Sequence, residues 1–402
     1  MKTGAFTNRL AMIAFLLPVA LPPAAALAMP NNPILLAHRD ERLEDAVEAA
    51  EPSARSRFQA SQIYAQVGHK FVVLGHGDEG RDLINRAEAL AETIDVPLLR
   101  DEALAHLANE IASTDRFERA LAVHAHIEDI EIRTKLGWKL VNKLGKASDI
   151  AAARSMLARM IDEVLPIEDD LELRAELLAG TGANHRFTEP SEGVPFVYEA
   201  YGIAQALSDP YERGLFFNEI GANLMDVGHT ERARRVFERS RDLINKIGNP
   251  LNRARFLAML GGEQAEKGDR DAAASDLELG VEAALRVPAG EDRNDVLSEI
   301  ARNFGQSYRF ERGIEVADAI ADPYHRAEGY IRIAKNMHRQ KRGEDALALL
   351  DRTEALTGEI VDPYRRGIVL RKLASEWISL DMRDRAVAAL RAALAAARRL
   401  DG

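Results

Sequence analysis

The ten histidines are the residues of this sequence that could most readily bind a metal or transfer a proton. His124 and His126 stand two positions apart in a helical pattern, so their side chains point to nearly opposite sides and cannot share a metal. His69 and His76 flank the stretch KFVVLGHGDEG, whose Gly-His-Gly-Asp could form a ligand loop. A lengthened turn in the first repeat is the simpler interpretation, and we predict no metal site.

The sequence motifs of common catalytic sites are missing from the chain. It contains no Gly-x-Ser-x-Gly, no phosphate loop and no His-Glu-x-x-His. Carboxylates are plentiful, but they occur at helix starts and on polar faces, so no pair is singled out as acid and base. Cysteine is absent, which excludes disulfides, thiolate metal sites and lipoprotein attachment. We therefore predict no catalytic residue and no cofactor.

A recurring sequence motif indicates that the chain is built from repeated helices. Asp-Pro-Tyr-x-Arg begins at Asp209, Asp322 and Asp362, and an amphipathic helical pattern follows each time. Aspartate is a favoured N-cap residue, and proline is tolerated at the first helical position. The arginine lies one turn after the aspartate and is expected to pair with it. We interpret the motif as a helix start signal that recurs because the helices recur.

The arginine of this motif marks the period of a repeat. Below, the position number of a residue is the number of residues by which it follows this arginine. Equivalent arginines are spaced 33 to 41 residues apart, at Arg100, Arg133, Arg174, Arg213, Arg253, Arg293, Arg326 and Arg366. Position 8 is small in seven of these eight units, and glycine at Gly228 or Gly268 ends the first helix. A period of this size indicates a stacked helical solenoid. A degenerate first unit begins at Arg55 or Arg57, two alternatives that the sequence leaves open.

The small and large residues of each unit carry a family resemblance. One unit places Gly221, Leu224, Gly228, Ala233, Phe237 and Ser240 at the diagnostic positions, and another places Ala374, Trp377, Ala386, Leu390 and Ala393 there. Residues 52–400 therefore resemble the tetratricopeptide repeat family, with second helices lengthened by about six residues in most units. The resemblance implies an all-α superhelix of eight to nine helix hairpins over residues 52–402. Residues 29–51 are expected to form a short capping segment.

The resemblance also implies a function. Tetratricopeptide arrays are non-catalytic scaffolds that bind a protein or peptide in a concave groove lined by their first helices. Carried over at positions 5 and 9, the groove residues here are Asn109, Trp138, Asn142, Asn218, Arg302, Lys335 and Arg371. The cations at the C-terminal end are expected to contact partner carboxylates. The identity of the partner is not encoded in these positions.

The amino-acid sequence of the fourth unit departs from the pattern of the other units. It reads TGANHRFTEPSEGVPFVYEAYG, and we expect its first helix to end early and release a longer loop. Phe187 has no role in the repeat, so it is a candidate partner contact. An alternative function follows from this unit: an exported factor that processes a small molecule or glycan, using residues 183–201.

The N-terminus and the charge indicate where the protein works. Residues 1–28 combine Lys2 and Arg9 with a short apolar run and small residues at Ala26 and Ala28, which is typical of a secretory signal that is cleaved after Ala28. We expect export to a bacterial periplasm, or secretion as second choice, without stable membrane insertion after cleavage. The net charge of -11 would become -13 (51 minus 64), which disfavours nucleic acid as a partner.

Overall fold

The computed structural model describes residues 42–43, 46–47, 49–114 and 116–401. The predicted signal 1–28, its cleavage site and most of the segment 29–51 lie outside these residues. The described residues are overwhelmingly helical and include no strand, which confirms the predicted all-α class. None of their helices combines the length and apolarity that crossing a membrane requires.

The described residues form nine helix hairpins, each with an odd-numbered inner helix followed by an even-numbered outer helix. The first five hairpins are α1 (Pro52–Val73) and α2 (Gly77–Glu92), α3 (Pro97–Ala112) and α4 (Phe117–His124), α5 (Ile130–Lys146) and α6 (Ile150–Val164), α7 (Leu171–Asn184) and α8 (Pro190–Ala204), and α9 (Pro210–Asp226) and α10 (Thr230–Arg241). The last four are α11 (Pro250–Glu266) and α12 (Arg270–Ala284), α13 (Glu291–Gln306) and α14 (Phe310–Asp318), α15 (Pro323–Arg339) and α16 (Gly343–Leu356), and α17 (Pro363–Ser379) and α18 (Arg383–Asp401). Short 3-10 turns lie at His185–Phe187 and Ile244–Lys246.

The repeated aspartates cap the inner helices, as their sequence context predicts. Asp209 accepts hydrogen bonds from two backbone N–H groups, those of Tyr211 at 2.6 Å and Glu212 at 3.1 Å. Asp322 and Asp362 each accept one such bond in the same way. These carboxylates satisfy donors that have no partner inside the helix.

The repeated arginines do not pair with these aspartates, so that expectation is corrected. The Arg213 guanidinium donates to the carbonyl oxygen of Leu207 at 3.1 Å, and Arg326 donates to that of Ile320 at 2.6 and 2.9 Å. Both carbonyls belong to the segment that leaves the preceding outer helix, where no helical N–H is available to them. The arginine therefore joins consecutive hairpins, because its several donors can satisfy carbonyls at a helix end.

The structure also corrects the start of the first unit. Position 15 is left-handed in the tight turns that follow several inner helices, as at Gly228 (φ 85°) and Gly268 (φ 93°). Gly75 has the same conformation (φ 92°), so it is position 15 of the first unit. Counting back 15 residues places the reference residue of that unit, the equivalent of the repeated arginine, at Ala60, which is 40 residues before Arg100. The reference residue is therefore neither Arg55 nor Arg57, and the Gly-His-Gly-Asp stretch is the ordinary turn of the repeat.

The hairpin array closes into a ring. Inner helices pack side by side along the whole array, whereas outer helices make little contact with one another, which places the odd-numbered helices inside. The last hairpin, α17–α18, packs against α1, and we call this contact the seam. There the Tyr364 hydroxyl donates a hydrogen bond to the Gln62 side-chain oxygen. An open concave groove was expected; the closed array turns it into a lumen.

The seam repeats the geometry of an ordinary contact between neighbouring units. A methyl group added to Gly367 of α17 would lie 2.7 Å from Ile63 Cδ1 of α1. A methyl group added to Gly214 of α9 would similarly lie 2.5 Å from Phe256 Cε2 of α11. Both contacts join position 1 of one unit to position 3 of the next. The ring therefore closes in register.

Candidate binding site in the ring lumen

Three of the predicted groove residues are buried rather than open to a partner. Trp138 is 3% exposed, and its indole N–H donates to Thr181 Oγ1 at 2.9 Å. Its ring fills the space beside Gly180 of α7, so Trp138 belongs to the contact between α5 and α7 and not to the lining of the lumen. Asn142 and Asn218 are also buried. Position 5 turns inward here because glycine at position 6 of the next unit leaves room for a large side chain.

Asn109 lies in a half-buried polar network at the start of the array. Its backbone oxygen accepts a hydrogen bond from the Lys143 ammonium, and its amide nitrogen lies 3.4 Å from Glu110 Oε1. His69 Nδ1 lies 2.6 Å from Glu110 Oε2. Burial alone would raise the pKa of Glu110, but this hydrogen bond and the nearby cations lower it to about 2. His69 is thus engaged by a carboxylate.

The remaining predicted groove residues, Arg302, Lys335 and Arg371, belong to a larger group of cations on the inner helices beside the seam. Sequence reasoning missed the other members. We call the whole set the basic cluster: Lys70 on α1, Arg302 on α13, Arg332 and Lys335 on α15, and Arg371 and Lys372 on α17. Each is half-buried, so solvent reaches it.

Four members of the basic cluster make no close ion pair or side-chain hydrogen bond among the described residues, although Glu110, Glu328 or Glu376 acts on each of them from a greater distance. Lys372 pairs with Glu328, and Arg302 lies 3.6 Å from Glu299. Within the part of the chain that the structure describes, the side chains of the other four make no hydrogen bond or ion pair; these are Lys70, Arg332, Lys335 and Arg371. Half-buried cations without close partners are costly to a folded protein, and here Glu110, Glu328 and Glu376 supply only part of the counter-charge at a distance.

The surroundings of these cations disfavour their charged forms. Burial lowers the pKa of Arg332 to about 10, with a further contribution from Arg302. Burial is also the main cause that lowers the pKa of Lys70, Lys335 and Arg371. Glu376 stands among Lys335 and Arg332, yet burial raises its own pKa. An anion placed here would supply counter-charge that favours the charged forms of these cations.

The side of the ring opposite the seam has a different character. Glu219 on α9 is buried, and neither carboxyl oxygen has a hydrogen-bond partner among the described residues. Burial and the neighbouring Glu176 raise its pKa well above the usual range. Burial and Glu266 raise the pKa of Glu263 to about 8. These carboxyl groups favour the neutral form near pH 7, so they contribute little negative charge to this side of the ring.

The fourth unit does not release the long loop that its sequence suggests. The 3-10 turn His185–Phe187 follows α7 directly, and α8 begins at Pro190. Phe187 is half-buried: a methyl group on Gly145 would lie 2.8 Å from Phe187 Cβ, and the Arg186 guanidinium lies 4.7 Å from the Phe187 ring centre. Phe187 therefore packs against α5, and its use as a partner contact stays a prediction.

The histidines and the outer surface offer little chemistry. No group of three His, Asp or Glu side chains among the described residues has the arrangement of a metal site. A cavity of about 240 Å³ beside the short helix α4 is lined by His124, Arg133 and Glu163, with Met156, Met160 and Arg159 completing it. His124 Nε2 lies 3.0 Å from the Arg133 carbonyl oxygen, and Arg133 pairs with Glu163 at 3.1 Å. These polar groups already have partners.

Comparison with known proteins gives matches to solved structures at low sequence identity. No protein-family model matches the sequence, and no curated protein matches it. Among solved structures, a Rap protein complexed with Competence and Sporulation Factor is 14% identical, with 85% of this chain and 99% of that chain covered and a TM-score of 0.35. Aspartyl phosphate phosphatase F from Bacillus subtilis is 10% identical, with 88% and 97% covered and a TM-score of 0.33.

A third match is titled as a circular tandem repeat protein. It is 15% identical, with 87% of this chain and 98% of that chain covered and a TM-score of 0.25. At such values the whole shapes do not superpose, so the ring closure rests on this chain's own contacts. The described chain is a tetratricopeptide-like array of helix hairpins, as its repeat predicts.

Proposed function

We propose that this protein is a non-catalytic binding scaffold that takes a segment of a partner protein or a peptide into the lumen of its ring. The observation that carries the proposal is the basic cluster, in which four half-buried cations make no close ion pair or side-chain hydrogen bond among the described residues: Lys70, Arg332, Lys335 and Arg371. Unpaired charges of this kind are a feature of binding sites, because the structure gains nothing from them alone.

The buried acids of the described residues support a binding role over a catalytic one. The buried carboxyl groups Glu219 and Glu263 lack a nucleophile or a histidine among the groups that perturb their pKa values. The central unit, residues 183–201, contributes packing residues and the ion pair between Arg186 and Asp226. The alternative of a small-molecule or glycan-processing factor has no comparable support.

Export belongs to the same proposal. The N-terminal sequence has the pattern of a cleaved signal, and the chain has no cysteine, so oxidation in a periplasm could not cross-link it. Purification from a periplasmic fraction, followed by N-terminal sequencing, tests this part. A mature protein that begins at or near Met29 supports it. Recovery of residues 1–28 intact in the inner membrane contradicts it.

The binding role is tested by charge reversal inside and outside the lumen. Arg302→Glu, Lys335→Glu and Arg371→Glu are combined in one variant. A matched control reverses Arg234, Arg309 and Arg383, which are 64%, 52% and 71% exposed on the outside of the ring. Both variants are immobilised beside the wild type, and the proteins they retain from the periplasmic fraction are quantified.

We expect the lumen variant alone to lose proteins that the wild type and the control retain. The melting temperatures of both variants are measured beside the wild type to show that each is folded, because reversal of Arg371 places a carboxylate near Glu110 and Glu328. Equal retention by all three proteins contradicts a binding site in the lumen.

A further inference from the structure

The two shortest outer helices belong to units that correspond residue by residue. Helix α4 has 8 residues and α14 has 9. The segments that contain them, RFERALAVHAHIED (116–129) and RFERGIEVADAIAD (309–322), are similar in sequence, and the next repeat arginine follows at a spacing of 33 residues in both places. The surroundings of the two short helices can therefore be compared position by position.

Beside α14, one tyrosine packs at the end of the short helix. Tyr330 of α15 is 2% exposed, and its hydroxyl donates a hydrogen bond to Asp318 at the end of α14. The Arg352 guanidinium of α16 donates to the same hydroxyl at 2.6 Å and lies 4.6 Å from the ring centre. A phenol ring is thus held between a hydrogen-bond acceptor and an arginine that covers its face.

Beside α4, the corresponding tyrosine is missing. Position 4 is Gly137 of α5 where the other unit has Tyr330, while position 26 is still an arginine, Arg159 of α6. The Met160 sulfur lies over Gly137 and would collide with a methyl group added there. Met160 does not fill the whole space, because the cavity of about 240 Å³ described above remains beside it. Among the described residues, Arg159 makes no hydrogen bond, ion pair or ring contact.

The cavity has the size and the lining that suit one aromatic ring. Met156 and Met160 are 2% and 3% exposed and form its floor, and methionine sulfur makes favourable contacts with aromatic rings. Exposed residues at the rim, Ala125 and Arg159, leave it open to solvent. Its volume exceeds the roughly 150 Å³ of an apolar cavity that holds benzene. It is smaller than the pockets of about 300 Å³ or more that hold drug-sized ligands.

The polar groups of the cavity suit a ring that carries a hydroxyl. His124 Nε2 faces the Arg133 carbonyl oxygen, so Nε2 carries the proton. Burial lowers the pKa of His124, so the imidazole is neutral and its Nδ1 is left as an acceptor. Arg159 supplies a donor, as Arg352 does for the Tyr330 hydroxyl. The cavity therefore offers a phenol both an acceptor and an arginine.

We propose that this cavity binds a phenol ring, in the place that Tyr330 occupies in the corresponding unit. The ring belongs either to a tyrosine of a partner protein or to a free phenolic compound, and the test below separates these two sources. The site lies beside the outer helices α4 and α6, so it is distinct from the lumen and does not depend on the function proposed for it.

The test uses p-cresol, which is the side chain of tyrosine as a free molecule. It is titrated into the full chain with isotope-labelled methionine methyl groups, observed by nuclear magnetic resonance. We expect the bound ring to shift the methyl signals of Met156 and Met160, while Met259 of α11 stays unchanged. Toluene, which lacks the hydroxyl, should bind at least about tenfold more weakly.

N-acetyltyrosine amide identifies the source of the ring. If it binds as tightly as p-cresol, the cavity admits a ring attached to a peptide backbone, which supports a partner tyrosine. If p-cresol binds and the amide does not, the site takes a free phenolic compound. Both results support the proposed ligand chemistry.

Two kinds of variant test the place of binding. Arg159→Gln should weaken p-cresol binding by about three- to tenfold, whereas Arg154→Gln, an exposed change on the same helix, should not. A second variant combines Gly137→Tyr, Ala125→Asp and Met160→Thr, which gives the cavity the residues of the corresponding unit. With its folding checked by thermal unfolding, this variant should no longer show a p-cresol shift at Met156.

Four results would overturn the proposal. Unchanged Met156 and Met160 signals at millimolar p-cresol would show that the cavity binds no such ring. Equal affinity for toluene would refute the role of the hydroxyl. Shifts of the same size at Met259 would indicate adventitious binding only. Binding that persists in the folded triple variant would place the p-cresol site elsewhere.

Discussion

At the scale of single residues, the inner helices contain polar groups whose partners lie in the next unit. The Trp138 indole N–H donates to Thr181 Oγ1 across the contact between α5 and α7. The Asn303 amide donates to the Ala258 carbonyl oxygen at 2.8 Å across the contact between α11 and α13. Such bonds fix one unit relative to the next, because a buried donor that loses its acceptor is costly.

Replacing Thr181 tests this at one contact. Thr181→Val keeps the shape of the side chain but removes the acceptor, so the buried Trp138 N–H is left unpaired. We expect the free energy of unfolding to fall by about 1–3 kcal/mol in urea denaturation. Thr181→Ser, which keeps the hydroxyl, should lose clearly less. Equal losses in the two variants would show that packing, and not the hydrogen bond, matters here.

The buried carboxyl of Glu263 makes stability depend on pH. Its folded pKa of about 8 is raised above the usual 4.5, so the folded state holds a proton that the unfolded state releases. Its effect is therefore absent below about pH 4.5, and stability falls as pH rises toward 8, by at most about 4 kcal/mol between pH 5 and 8.

Glu263→Gln should flatten this dependence. The variant should match the wild type near pH 5 and exceed it near pH 8, as measured by urea denaturation across that range. Glu282→Gln changes an exposed residue of α12 and serves as the control. A wild-type stability that rises from pH 5 to 8, or a slope unchanged by Glu263→Gln, would contradict the raised pKa.

At the scale of elements, the turn between the inner and outer helix has a left-handed residue at position 15 in several units, and this residue is glycine in some units and another residue type in others. Position 15 is glycine at Gly75, Gly228 and Gly268, but non-glycine residues hold the same left-handed conformation at Ser148, Tyr308, Lys341 and Asp381. Left-handed backbone costs a residue with a side chain roughly 1–2 kcal/mol, which glycine avoids. The non-glycine turns are thus mildly strained.

Lys341→Gly should relieve this strain in an exposed turn (φ 62°). We expect a gain of about 0.5–1 kcal/mol in the free energy of unfolding, since part of the relief is offset by the greater freedom of glycine in the unfolded chain. The converse change, Gly268→Ala, should cost a similar amount. If both substitutions were neutral in thermal unfolding, the turn conformation would not limit stability.

The helix starts and the repeat period could be predicted from sequence because they depend on local rules. Asp209, with the proline that follows it, specifies a capped helix wherever the chain places it. The role of Arg213 could not be predicted in this way, because its acceptor, the Leu207 carbonyl, is released only when the preceding outer helix ends. The first unit was misaligned because Ala60 replaces the arginine that marks the other units.

At the scale of the whole molecule, ring closure depends on quantities that no single unit specifies. Each contact between neighbouring hairpins adds a small rotation, and only the sum over nine units decides whether α17 meets α1. The sequence therefore indicated a concave groove without indicating that it closes. Lys70 and Arg371 are far apart in sequence and acquire a common environment only through that closure.

Three of the six cations in the basic cluster could be assigned to the inner face from the sequence, and the other three could not. Arg302, Lys335 and Arg371 occupy positions 5 and 9, which the repeat resemblance assigns to the groove. Arg332 and Lys372 occupy position 6, which the structure adds to the inner face. Lys70 was missed because it occupies position 10 of the unit counted from Ala60, and the resemblance does not assign this position to the groove.

The central claim is that the hairpins close into a ring, and one distance tests it most directly. Since the chain has no native cysteine, spin labels can be placed at Ser53→Cys in α1 and Ala395→Cys in α18, both exposed and on helices that pack at the seam. Pulsed electron spin resonance should give a narrow distribution below about 3 nm, because packed helix axes lie about 1 nm apart. An open array of nine hairpins would place the labels more than about 5 nm apart, and a distribution centred there would contradict the ring.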